Sequence, residues 1–118
     1  MTVFVVQNQM RFDHGKNKLV PRFDLSSAEQ YGELSFLLSP SASPFNPESV
    51  LNEMAKRLEN FSSEDHLLLV GNPVLIGMAS ALAADIAGTV QFLQWSGKDR
   101  KYIIIKAGVF PDCAQEEG

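Results

Sequence analysis

The 118 residues carry a formal net charge of −4, with 45% hydrophobic and 20% charged side chains, enough chain for one domain with a real core and too little for two. The negative balance argues against a protein whose whole surface binds nucleic acid or an anionic membrane, because like charge repels phosphate at long range. No apolar run approaches the roughly 20 residues that span a bilayer, and a single cysteine, Cys113, excludes an internal disulfide framework and agrees with a reducing cytoplasm.

The first residues, Met1-Thr2-Val3-Phe4-Val5-Val6, lack the basic stretch of a signal peptide. Val3 to Val6 is a continuous apolar run bounded by Gln7-Asn8-Gln9, as expected of a strand buried on both faces. Residues 8–32 form an excursion with an internal echo, Arg11-Phe12-Asp13 and Arg22-Phe23-Asp24, around His14-Gly15-Lys16-Asn17-Lys18. Two like arms around a Gly/Asn loop predict a hairpin flap. Ser26 and Glu29 have the spacing of a capping box, and Gly32 stops the helix they would open after little more than one turn. Glu33 to Leu38 reads as a strand and Ser39 to Asn46 as a loop. Asn46-Pro47 then supplies an N-cap and a first helical proline. The helix carries its apolar stripe at Val50, Leu51, Met54, Leu58 and Phe61.

His66 to Val70 is the next buried strand, and Asn72-Pro73 repeats the helix start. The following helix, Val74 to Ala87, has Asp85 as its only charge and alanines at 79, 81, 83, 84 and 87. Apolar on nearly all sides, it is expected to be covered on nearly all sides, either under the flap or in a homodimer interface through residues 74–87. Asp85 on such a helix reads as a buried carboxylate capping a neighbouring backbone rather than as a catalytic acid. Gly88 suits the position just past the helix end. Thr89 to Trp95 and Tyr102 to Ala107 are two further strands, joined by Ser96-Gly97-Lys98-Asp99-Arg100-Lys101 as an antiparallel hairpin.

These elements predict one α/β domain over residues 1–110, with a flexible acidic tail at 111–118. The fold class is a small, three-layer-like, Rossmann-like open sheet of about five strands, mostly parallel, with an antiparallel C-terminal edge hairpin and two main helices. In such a sheet the loops leaving the carboxyl ends of the strands gather along one edge, where ligands bind. The candidate binding residues are therefore Ser39, Ser41, Ser43, Phe45 and Asn46 in one loop, Gly71 and Asn72 in a second, and Trp95, Lys98 and Arg100 at the third. Helix N-termini at Asn46 and Asn72 add N–H groups and partial positive charge. If the first strand is parallel too, Gln7, Asn8 and Gln9 join them.

Motifs for chemistry are sparse. Gly71-Asn72-Pro73 has no Walker lysine, Gly71 and Gly77 do not make a dinucleotide fingerprint, and Pro73 removes one of the donors a phosphate would use. A structural turn is the simplest reading of that stretch. Phe45 is either a plug before its helix or an exposed anchor. Basic residues gather between Arg11 and Arg22 and between Lys98 and Lys106, either as solvated hairpin loops or as an anion-contacting rim. His14 and His66 are the only histidines, and with one cysteine neither a zinc site nor a Cys–His pair assembles. No enzyme, cofactor or metal is expected.

The stretches FDLSSAEQYGEL, LLSPSASPFNP, LLLVGNPVLIG and FLQWSGKDRKY resemble a group of short proteins encoded by tailed bacteriophages, similar across roughly residues 3 to 106. The resemblance implies a cytoplasmic protein of the infected bacterium, in a class rich in factors that bind and redirect other proteins during host takeover. Two expectations follow. One is a non-enzymatic accessory protein that binds a host or phage protein through the Ser39–Asn46 loop, Trp95 and the basic hairpins. The other is a protein that sequesters a nucleotide or other small phosphate-bearing ligand at Gly71-Asn72, with Trp95 stacking on a base and Lys98 and Arg100 on phosphate.

Overall fold

The computed structural model describes residues 1–108; the expected acidic tail at 111–118, with Cys113, lies outside the described residues. In chain order the strands are β1 (Thr2–Gln7), β2 (Met10–Asp13), β3 (Lys18–Pro21), β4 (Glu33–Leu38), β5 (His66–Leu68), β6 (Thr89–Ser96) and β7 (Lys101–Gly108). A 3-10 helix (Ser26–Tyr31) precedes β4, α1 (Pro47–Arg57) joins β4 to β5, and α2 (Pro73–Ala87) joins β5 to β6.

Five strands make the main sheet in the order β4-β1-β5-β6-β7, and β2 with β3 makes a separate two-stranded hairpin. β1 runs parallel to both β4 and β5, β5 runs parallel to β6, and β6 to β7 is antiparallel. β1 is thus an interior strand, as its two-sided apolar run requires, and Gln7 joins the carboxyl edge.

Handedness decides what covers each face. From β4 to β5 to β6 the chain steps across the sheet in one direction, so right-handed crossovers lay α1 and α2 on the same face. From β1 to β4 it steps the opposite way, so the hairpin and the 3-10 helix fall on the other face. The helix face is packed by Val6, Leu67 and Val90 from strands against Val50, Met54, Leu75, Ala79 and Ala83 from helices. The second face is thinner: Val3, Val5, Leu68 and Leu93 meet Tyr102 and, from the 3-10 helix, Ala28.

Several local expectations change. Leu25, not Ser26, occupies the N-cap of the 3-10 helix, and no side chain caps it; Asp24 Oδ1 accepts the Ser26 amide at 2.9 Å instead, so the capping box does not form. Asn46 makes no capping bond, whereas the Asn72 side chain accepts from the Val74 amide at 2.9 Å. β5 ends at Leu68, yet Val70 continues the contact with β1 by accepting the Gln7 amide at 2.9 Å.

α2 buries only Leu75, Ala79, Ala83 and Ala84, and its outer side leaves Val74, Ala81 and Ile86 in solvent. Asp85 lies on that exposed side too, so it is not a buried capping carboxylate. One stripe facing the sheet was enough to seat this helix, and the flap lies across the sheet from it. Gly88 does take a positive φ, +76°, and donates its amide to the Ala84 carbonyl.

Candidate functional site

The chain direction reverses at β1, from which it goes one way to β4 and then back the other way to β5. In open α/β sheets the crevice beyond such a reversal is the usual ligand position. Here a side chain fills it. Gln7, 4% exposed, donates through Nε2 to the carbonyls of Ser39 at 3.2 Å and Ala42 at 3.1 Å, and accepts the Asn72 amide on Oε1 at 3.0 Å. Gly71 is shaped by the same contact: at φ +142°, a Cβ there would sit 2.7 Å from Cβ of Gln7. The first helical position of α2 is proline, and the next amide, of Val74, is taken by Asn72, so of the donors at this helix start the Asn72 and Val74 amides are committed to the protein itself.

Gln7 therefore brings two of the three candidate loops together. In the first, Ser39 and Ser41 share a hydroxyl contact of 3.0 Å, the Ser43 hydroxyl accepts the Phe45 amide at 3.2 Å, and Asn46 is exposed. Phe45 is 94% exposed, so it is not a plug and contributes nothing to the core. The third candidate group stands apart. β6 continues through Gln94, Trp95 and Ser96 beyond Leu93, the partner of the last β5 residue, so the β6–β7 hairpin extends about 10 Å past the end of β5 at 3.3 Å per residue. Lys98 and Arg100 lie in its turn, Arg100 at φ +53°, and among the described residues neither is paired.

Beneath that extension, on the thinner face, lies a groove of about 520 Å³. Its floor is Leu68, Val70 and Leu93; Trp95 and Tyr102 form one wall, Phe23, Asp24 and Ser27 the other. The Trp95 and Tyr102 rings meet edge to face with centroids 5.1 Å apart, a favoured aromatic geometry. Phe23, Asp24 and Val70 also line a second groove of about 420 Å³, which runs towards Phe36 on β4. The strap at Phe23-Asp24 thus stands between two apolar hollows along the carboxyl half of this face. Asp24 is the one charged residue common to them, and the bonds from Ser26 hold its carboxyl below the usual carboxylate range. Burial, with a smaller push from the Asp24 charge, raises the Tyr102 phenol above its ordinary value.

Of the side chains lining this trough, the sequence-predicted candidates include Trp95 but neither Tyr102 beside it nor Phe23 and Asp24 opposite. Phe23, Asp24 and Tyr102 come from segments far apart in the chain, and the one local signal was the repeated Arg-Phe-Asp of the flap. His66 lies elsewhere, buried at the entering end of β5, its ring 5.6 Å from that of Tyr31 and its Nδ1 without a hydrogen-bond partner. Among the described residues no three His, Cys, Asp or Glu side chains are grouped to hold a metal. No described helix is long and apolar enough to cross a membrane.

Fold and grooves together define an open-sheet α/β protein with its switch point closed and an aromatic trough on its less covered face. The chain belongs to the Phage Pam3 gp32-like protein family, whose family model matches residues 1–108. It is thus a phage protein, as the resemblance of its motifs implied. No curated protein and no solved structure matches it.

Proposed function

We propose that this phage protein is a non-enzymatic accessory factor that binds a host or phage protein in the cytoplasm of the infected bacterium. One observation carries the reading: the trough under the β6–β7 extension is apolar and aromatic, with half-exposed Trp95 and Phe23 on its walls and Asp24 as the charge they share. Exposed aromatics around an apolar hollow are what protein interfaces use as anchors, and the strap flanks Phe23 with one charge of each sign, Arg22, whose guanidinium lies 5.7 Å from the ring centroid, and Asp24. Phe45, solvent-exposed in the loop after β4, is a separate candidate contact.

A second reading, sequestration of a nucleotide or other phosphate, is favoured by Trp95 standing at the base of the turn that carries Lys98 and Arg100. Against it, the Asn72 and Val74 amides at the α2 start are taken by Gln7 and Asn72, and the one charged side chain lining the trough is Asp24.

Affinity capture from infected cells compares the wild-type chain with Trp95→Ala and Phe23→Ala, both of which should fold normally. A partner recovered by the wild type and lost by both variants supports protein binding; equal recovery by all three overturns this site. A thermal-shift panel of nucleotides and inorganic phosphate tests the second reading, since a ligand of the folded state raises stability with the logarithm of its concentration. No shift with any member eliminates it.

A further inference from the structure

The two edges of the main sheet are built differently. β4 has six residues, beginning with exposed Glu33 and ending in buried Leu37 and Leu38. β7 is eight residues long, pairs with β6 one to one without a bulge, and has no strand on its other side among the described residues, the 3-10 helix reaching it through the Tyr31 hydroxyl, which donates to the Tyr102 carbonyl at 3.4 Å. Three consecutive isoleucines lie on it, Ile103, Ile104 and Ile105, each 40 to 45% exposed. Register with β6 places Ile104 beside Leu93 on the trough face, and Ile103 and Ile105 beside Gln94 and Phe92 on the helix face.

A strand apolar on both faces is the pattern of an interior strand, and terminal strands ordinarily carry lysines, a proline, a bulge or an inward charge that blocks pairing; Lys101 and Lys106 bracket this stretch. None of these interrupts Tyr102 to Ile105.

We propose that β7 is an interior strand of a homodimer, in which it pairs antiparallel with β7 of a second copy. A two-fold axis normal to the sheet preserves faces, so residues opposite one another share parity, and charge selects among the allowed registers. With Ile104 facing its own counterpart, Ile103 faces Ile105 twice, Tyr102 faces Lys106, and Lys101 faces Ala107, so no like charges are opposed. Sliding by one allowed step in one direction sets Arg100 against Lys106. Sliding the other way sets Ile104 against Lys106 and breaks up the isoleucine pairs. The two five-stranded sheets become one, with all four α-helices on one face and Ile103 and Ile105 covered between the two α2 helices. This interface is distinct from the one expected through the outer side of α2.

Sedimentation equilibrium of the full chain should give the dimer mass. Ile104→Lys, which places two ammonium groups on the axis at a position exposed in the single chain, should give the monomer mass with an unchanged circular dichroism spectrum. Ala81→Glu on the outer side of α2 should leave the dimer intact. In a Cys113→Ser chain, Ile104→Cys should cross-link to itself on mild oxidation and Ala81→Cys should not, a readout that needs no destabilising charge. A wild-type monomer that also fails to cross-link through Ile104→Cys overturns the proposal and leaves the edge to a strand from another protein. A dimer that survives Ile104→Lys, or dissolves with Ala81→Glu, overturns it equally.

Discussion

The two faces of the sheet are covered by unequal means. Two α-helices seal one face through Val50, Met54, Leu75, Ala79, Ala83 and Ala84, whereas the other is crossed by a 3-10 helix that contributes one fully buried residue, Ala28, and by a strap that leaves hollows on either side. Packing and accessible apolar surface are thereby separated: the first face holds most of the packing, and the second keeps apolar side chains open to solvent.

The largest expected effect tests that division directly. Met54→Ala, at a fully buried position of α1, should lower the unfolding free energy by about 2–5 kcal/mol. Phe23→Ala on the trough wall should change it by no more than about 0.5 kcal/mol. Urea titrations of the two variants check the contrast, and equal losses would show that the trough face is a structural core after all. Next in size is Gly71→Ala, which combines a positive φ with a Cβ in collision with Gln7; it should cost about 1–3 kcal/mol. The third comparison uses the two Asn-Pro helix starts. Asn72→Ala should cost about 1 kcal/mol through its lost cap, and Asn46→Ala, where no capping bond exists, a few tenths at most.

The smallest effect is a pH slope. Burial holds the His66 pKa below its ordinary value, the chain's amino group adds to the lowering, and the Asp65 charge opposes both. The unfolded chain therefore binds a proton at pH values where the folded chain does not. The stabilisation is full above about pH 6.5 and is lost as pH falls below that. Thermal midpoints recorded downward from about pH 7.5 should decline through this window, and His66→Gln should flatten the decline.

The elements themselves were legible because their periodicities differ: the two-sided apolar run of β1, the stripe of α1 and the paired runs of β6 and β7 each state a local environment. The position of β1 between β4 and β5 was not legible, since either neighbour satisfies a strand buried on both faces. Identical Asn-Pro dipeptides proved unequal because capping depends on the backbone angles before the helix: Asn72 is extended, with ψ 134°, and Asn46 is at ψ 69°. The candidate edge was legible from topology alone, bringing Ser39–Asn46 and Gly71–Asn72 together. The trough was not, because its walls at Phe23 and Trp95 meet only after β1, β5 and β6 have paired.

The Gln7 clamp bears on the order in which the molecule assembles. Its hydrogen bonds span 32, 35 and 65 residues of chain, while both hairpins and both helices close over short distances. Loop closure over such spans must precede any return from the contacts it brings, so the carboxyl edge takes shape after the local elements. A nascent or partly unfolded chain then has its hairpins before it has its carboxyl edge. Protection of the Asn72 amide from hydrogen exchange marks the moment at which that edge exists.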